Sequence, residues 1–425
     1  MRLKDIKKGP SPERPEFVRL SGEVLFEHDQ SSRVYWVEYP TAYADEISTD
    51  GNCWLILMNL LAASSGEDIT VDHPVDPYLL EHVKAVRREW HAWSRQWKLT
   101  RFVCPNLQAM ARTGQKTGAF FSGGIDSYHS LLRNNEVPNN EGDATDAITD
   151  LITVHGFDIP LALYDHFRSL QHHLEAAAKS FSKTHLAAIT NIRTFEDVYD
   201  KVWQNMAHGS ALIFIAYGLS LRFKEVIIAS SYQHGSLRPN GSHPLTDSLF
   251  SSKALRIVHD GAVSNRVEKT SRVARSRVAL SGLHVCQNKF GDETFSYLNC
   301  SICEKCQRTM VTLDLFNAKS DAVTFDWSQY TVQGISRNYI KLRGSASFYE
   351  EIYTAAMEQS RLDIARAVRQ SLRRTLVFRF LGDLEDWTLQ RFPRIRKYRV
   401  KLIGARTRLY KLLGLHMTSA PKARR

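Results

Sequence analysis

Acidic residues are absent from the last stretch of this chain. Between Trp387 and Arg425 there are 4 Lys and 8 Arg and no Asp or Glu, so the formal net charge of +11 resides in that segment and the other residues are close to neutral. A basic groove running over the whole body is therefore not expected. Long apolar runs are missing as well: nothing approaches the roughly 18 uninterrupted residues of a membrane span. The opening, MRLKDIKKGPSPERPEF, is charged and proline-bearing with no apolar run behind it, unlike a secretory signal, and a cytoplasmic location is the default expectation. Two motifs are also absent. Without G-x-x-x-x-G-K-[ST], a conventional γ-phosphate-cleaving motor or kinase is disfavoured, and without G-x-G-x-x-G so is a dinucleotide site.

What is present has the balance of an ordinary globular protein, 43% hydrophobic and 24% charged over 425 residues. That length suits two or three domains at roughly 150 residues each. Residues 1–112 read as a small α/β domain. Glu23–Phe26 and Arg33–Glu38 are β-prone runs around a polar turn, and Pro77–Trp97 has helical spacing with Leu80, Val83, Val86 and Trp90 on one face. Trp54–Ala63 is apolar enough to be a buried helix or a buried strand, and length does not separate them.

After a polar joint at 111–118, strands alternate with helices. Strands are expected at Ala119–Phe121, Leu151–Val154, His185–Ile189 and Glu225–Ala229, with helices from Asp126, over Ala162–Ser180 and over Ala211–Phe223. Such units make an α/β fold, a parallel sheet with helices on both faces. This domain is expected to span 113–316, with a polar surface loop at 134–147. Residues 317–425 read as a helical, basic C-terminal extension. The Arg/Lys–apolar alternation of its tail suits a helix packed on the body, a membrane-surface helix or a nucleic-acid arm, and a nucleic-acid or protein partner is one expectation for it.

The string Phe121-Ser122-Gly123-Gly124-Ile125-Asp126-Ser127 ends the first strand of the alternating region and opens a helix. Two adjacent glycines let several N–H groups converge on one anion, and the helix adds its positive dipole end. Ser122 and Ser127 supply hydroxyls. Asp126 is placed to cap the helix or to help hold a Mg²⁺ bound to pyrophosphate.

Four of the six cysteines, Cys286, Cys300, Cys303 and Cys306, follow the spacing C-x13-C-x2-C-x2-C. Four thiolates in one window read as a closed tetrahedral zinc site of structural purpose; an iron–sulfur cluster is the other reading that spacing allows. Cys53 and Cys104 read as small buried hydrophobes.

The loop at 122–127 resembles that of the PP-loop, or N-type, ATP pyrophosphatases, over roughly residues 115–315. The resemblance implies a Rossmann-like fold of the adenine nucleotide alpha hydrolase type. It implies that Ser122, Gly123, Gly124, Ile125, Asp126 and Ser127 bind the phosphates of ATP with Mg²⁺, and that Val154, His155 and Asn191 border adenine and ribose. With the cysteine cluster, and with Ser230-Ser231 and His243–Asp247 in between, the protein looks like a divergent, fused relative of 7-cyano-7-deazaguanine synthase. Residues 1–112 and 317–425 have no counterpart in the minimal enzyme. The chemistry implied is that of an ATP-dependent ligase: an oxygen of a small carboxylate or modified-base substrate attacks the α-phosphorus, pyrophosphate leaves, and a nitrogen nucleophile displaces AMP. A tRNA-modifying adenylating enzyme and a non-enzymatic nucleotide sensor are the other readings. Arg266 and Lys269 are the candidate catalytic cations beside Asp126 and Ser127; Lys253, His234 and Asp247 are further candidates. No glutamine-amidotransferase signature is present, so ammonia would come free or from a partner.

Overall fold

The computed structural model describes residues 1–136, 147–286, 297–338, 340 and 343–391, with side chains at 136, 343, 344 and 377–391 excepted. The expected polar loop at 134–147 and the tail beyond Arg391 lie mostly outside these. The protein forms two compact units, Met1–Val263 and Ser264–Arg425.

The first unit is built on one mixed sheet. Its strands are β1 (Arg2–Pro10), β2 (Phe17–Phe26), β3 (Ser31–Pro40), β4 (Ile69–Val71), β5 (Phe102–Val103), β6 (Lys116–Phe120), β7 (Asp150–His155), β8 (Thr184–Thr190), β9 (Phe223–Ala229) and β10 (Arg256–Asp260), in the order β10-β9-β6-β7-β8-β3-β2-β1-β4-β5. Strands β6 to β10 are mutually parallel; β1, β2 and β3 form an antiparallel meander whose last strand pairs antiparallel with β8. The four strands expected in the alternating region are all there, most of them a residue or two longer. Residues 1–112, read from sequence as a domain of their own, instead supply five strands to this same sheet. Val37 and Glu38 of β3 meet Thr190 and Ile189 of β8, so the ladder never breaks.

The helices of this unit are α1 (Asn52–Ser65), α2 (Pro77–Trp93), α3 (Ile125–Glu136), α4 (Tyr164–Ser180), α5 (Val198–Lys201), α6 (His208–Gly218) and α7 (Pro244–Asp247). The apolar run at 54–63 is helical: all of it is buried, and Gly66 in left-handed conformation ends the helix with its N–H on the Ala62 carbonyl. α1 and α6 share one core with Phe120, Ile152, Leu186, Val226 and Ile257. Ala119, Leu151 and Ile227, of opposite parity, are buried on the other face, where Ile125, Tyr128 and Leu131 of α3 and Phe167 and Leu174 of α4 are also buried. Both faces are thus covered, as parallel strands require.

The second unit contains α8 (Arg266–Ala274), α9 (Arg277–Ser281), α10 (Glu304–Leu315), α11 (Val332–Ile335), α12 (Arg343–Glu358) and α13 (Leu362–Arg391). Asn265 and Glu268 close a reciprocal capping box at the start of α8. Among the described residues this unit has no strand, in keeping with the helical character read for 317–425.

Candidate functional site

Within the parallel strands, β6 comes first in the sequence yet lies between β9 and β7, so the connections run outward from it in both directions. Loops at the carboxyl ends of strands diverge at such a reversal and leave a crevice. The β6–α3 loop stands there. Phe121 donates its N–H to the Ile152 carbonyl at 2.8 Å, and Thr153 donates its hydroxyl to the Phe121 carbonyl at 2.9 Å, anchoring the loop's entry to β7. Gly123 then takes φ +74°, which opens the left-handed region to glycine at least cost. Ser122 is exposed; Ile125 is buried and begins α3. Ser127 is buried and donates to the Gly124 carbonyl at 3.0 Å. Asp126 sits inside the first turn of α3, two residues past the capping position expected of it, where its charge still faces the positive helix end.

α3 is held from below. Asp260, at the end of β10, accepts the Ser130 hydroxyl at 2.5 Å and forms an ion pair with Arg133, so the helix behind the loop is tied across the sheet.

The residues expected to border adenine and ribose have other duties. His155 is fully buried and stacked on Phe167, with ring centroids 4.5 Å apart and planes at 12°. Its Nε2–H donates to the Pro160 carbonyl at 3.0 Å, and burial pushes its pKa down to about 4. It is a neutral packing element. Asn191 accepts the Trp36 N–H through Oδ1 at 2.8 Å and donates to the Val34 carbonyl through Nδ2 at 2.9 Å. That amide pins β3 to the end of β8, a use that sequence reading missed because it placed β3 in another domain. Val154 is half-buried against the main core.

A second polar group lies near the carboxyl end of β10. Buried Asp247 accepts the Ser242 hydroxyl at 2.5 Å, the His243 N–H at 3.2 Å and His259 Nδ1–H at 2.8 Å. Nε2 of His259, on a side chain 2% exposed, has no hydrogen-bond partner. Gly209, in the first turn of α6, donates to the Gly241 carbonyl at 2.8 Å, and a Cβ there would stand 2.1 Å from that oxygen. The 241–247 segment is thereby clamped to α6. Asp247 was a candidate from sequence; Ser242 and His259 were not, since β10 itself went unread. Lys253 and His234 are exposed.

Arg266 and Lys269 belong to α8 in the second unit. Lys269 is 1% exposed. The Arg266 guanidinium lies 4.9 Å from the centre of the Phe348 ring, with Arg308 at 4.6 Å from the same ring, and the Arg266 N–H donates to Glu351 at 2.8 Å. Both cations are packed into the helical unit by α12, a role invisible without α12's position.

In that unit the four cysteines come together as read. Their sulfurs all lie within 4.8 Å of one another, all four residues are buried, and Cys300 Sγ and Cys306 Sγ are 3.9 Å apart. A tetrahedron of thiolates at about 2.3 Å from a metal has edges of about 3.8 Å, so the cluster fits a metal such as zinc. Cys303 caps α10, accepting the Cys306 N–H on its sulfur at 3.5 Å. Hydrogen bonds from its three neighbours pull the Cys286 thiol far down, while hydrogen bonding to Cys286, together with burial, pushes Cys303 up. Without a cation the group resists carrying four negative charges at once; a divalent ion reverses that. Asn299 aligns the two halves: Oδ1 accepts the N–H groups of Val285 and Cys286 at 2.8 and 3.1 Å, and Nδ2 donates to Leu283 O at 2.8 Å.

Comparison of the sequence and fold with family models, with curated proteins and with solved structures finds no match.

Proposed function

We propose that the protein is an ATP-dependent ligase with a Rossmann-like, adenine nucleotide alpha hydrolase type of first unit, cleaving between the α- and β-phosphates. The observation that carries this reading is the β6–α3 loop: a left-handed Gly123 followed by a helix start at the point where strand order reverses. Backbone N–H groups of 122–127 and the end of α3 supply fixed positive potential for a pyrophosphate leaving group. The missing P-loop lysine favours α-phosphate chemistry over γ-transfer. A carboxylate or carbonyl oxygen of the substrate attacks the α-phosphorus, and a nitrogen nucleophile then takes the place of AMP. Mg²⁺ accompanies ATP in this reading, and Zn²⁺ occupies the four cysteines as a structural ion. The likeness to 7-cyano-7-deazaguanine synthase in the loop and in the cysteine spacing supports the chemistry and leaves the acceptor open.

Incubation of the purified protein with ATP·Mg²⁺, a panel of small carboxylates and an ammonium salt as nitrogen nucleophile, followed by chromatography of nucleotides, tests it. AMP and pyrophosphate in equal amounts are expected. ADP and phosphate instead, or ATP binding that Asp126→Ala leaves untouched, would overturn the reading.

A further inference from the structure

In the first unit, Asp247 and His259 form a buried dyad whose outer nitrogen is idle. His259 Nδ1–H donates to Asp247 Oδ2 at 2.8 Å, and the Ser242 hydroxyl donates to the same oxygen at 2.5 Å. An ionised carboxylate only accepts, so Nδ1 carries the ring proton and Nε2 keeps its lone pair. The two side chains are 2% and 1% exposed, and Nε2 has no hydrogen-bond partner among the described residues. His208 and His243 lie within electrostatic reach of His259, but their rings are engaged elsewhere. His208 Nδ1–H donates to the Trp203 carbonyl at 3.1 Å, and His243 Nδ1 accepts the Leu245 N–H at 3.1 Å. A buried nitrogen without a partner forfeits its hydration, a cost native structures carry where the group serves catalysis or receives a ligand.

The dyad is held in a fixed place. A Cβ on Gly209 would stand 2.1 Å from the Gly241 carbonyl oxygen, and one on Gly241 would stand 2.3 Å from His208 Nδ1. Only a pair of glycines lets α6 and the segment carrying Ser242 and Asp247 approach so closely. That place is near the β6–α3 loop. Val258 of β10, Ile227 of β9 and Ala119 of β6 lie in one row across the sheet. His259 and Phe120 are each one residue further along, so two strand spacings, about 10 Å, separate their backbones. His259 alternates with Ile257, which packs in the same core as Phe120, and Phe120 stands two residues before Ser122. The dyad is thus at the same carboxyl edge of the sheet as the loop, two strands away.

We infer that His259 is the general base for the second half of the ligation, with Asp247 as its positioning residue; this rests on the ligase reading. In that step the lone pair of ammonia, or of a primary amine, forms a C–N bond to the adenylated carbonyl carbon. The C–O bond to phosphate breaks, and AMP leaves with its electron pair. The surplus proton on nitrogen passes to Nε2. The Asp247 carboxylate stabilises the imidazolium until that proton is lost to water. Attack of a carboxylate on the α-phosphorus moves no proton, so the first half has no need of the base.

The test separates the two halves in the full-length protein. Exchange of labelled pyrophosphate into ATP, with a panel of small carboxylates, reads adenylation alone. Amide formed from an ammonium salt reads the second half. Hydroxylamine, a stronger nucleophile that is largely free base at neutral pH, traps the adenylate as a hydroxamate with little help from a base. The variant is His259→Asn, whose Nδ2–H replaces Nδ1–H toward Asp247 while Nε2 is deleted. It is expected to keep isotope exchange and hydroxamate formation close to the parent's, and to lose at least about a hundredfold in amide formation. His259→Gln, which also lacks a base, should show the same split, and an unchanged melting temperature establishes that a variant is folded. Equal amide formation by parent and variants overturns the proposal and leaves the ligase reading standing. So does a folded variant that has lost isotope exchange, since Nε2 would then serve the ATP step. A parent that exchanges no pyrophosphate with any carboxylate overturns the ligase reading, and this proposal with it.

Discussion

Cys300 Sγ and Cys306 Sγ stand 3.9 Å apart, nearly twice the length of a disulfide and close to one edge of a metal tetrahedron. One zinc per protein molecule is therefore expected from elemental analysis. Cys303→Ser should lose the ion and lower the melting temperature of the helical unit, because Cys303 is both ligand and cap of α10. Asn299→Ala should weaken metal retention while leaving all four sulfurs in place, since Asn299 fixes the backbone of Cys286. A Cys303→Ser protein with full metal and unchanged melting would refute the assignment.

Gly123 supplies a second test. Its φ of +74° costs an L-residue about 1–2 kcal/mol, so Gly123→Ala should either strain the loop or push it toward an extended path. ATP affinity, measured by calorimetry, is expected to fall at least tenfold with a small loss of stability. Retention of full ATP affinity would remove the loop from the phosphate site.

The parts of the fold that were legible in the sequence are those with a local cause. Asp150–His155, Thr184–Thr190 and Phe223–Ala229 are apolar, β-branched runs between helical stretches, and the pattern alone marks them. The four cysteines were legible because ligand spacing is itself local. β1 was not: Leu3 is its one buried residue, Ile6 is half-buried, and Lys4, Asp5, Lys7 and Lys8 around them are exposed. Nor was the joining of β3 to β8, which rests on the amide of Asn191 reaching residues more than 150 positions away. The Asp247–His259 contact spans only 12 positions and was hidden for another reason: His259 lies on a strand only five residues long.

Acid sensitivity follows from the buried histidines. Burial pushes His155 and His185 down to about 4 from 6.5. Between those values the unfolded state binds protons that the folded state refuses, so stability falls as pH drops from about 6.5 to about 4 and loses nothing more from these groups below that. Urea midpoints taken across this range should decline steadily. His155→Phe, which keeps an aromatic partner for Phe167, should flatten part of the decline, and an identical pH slope in that variant would contradict the assignment.

Asp247 and His259 differ in how much each has at stake, and that asymmetry is measurable. The Asp247 carboxylate accepts three donors in a buried place, so Asp247→Asn turns one acceptor into a donor facing donors. Hydrogen bonds to a charged group contribute about 1.5–3 kcal/mol each, and a loss of about 2–3 kcal/mol is expected from chemical denaturation. His259 gives up a single hydrogen bond on substitution, because its Nε2 has none, and His259→Gln should cost less. The double variant should be less destabilised than the sum, since both changes remove the same contact. If His259→Gln keeps its fold yet abolishes pyrophosphate release, the bare Nε2 faces the ligand; if both single variants are as stable as the parent, the Asp247 network does not hold the 241–247 segment.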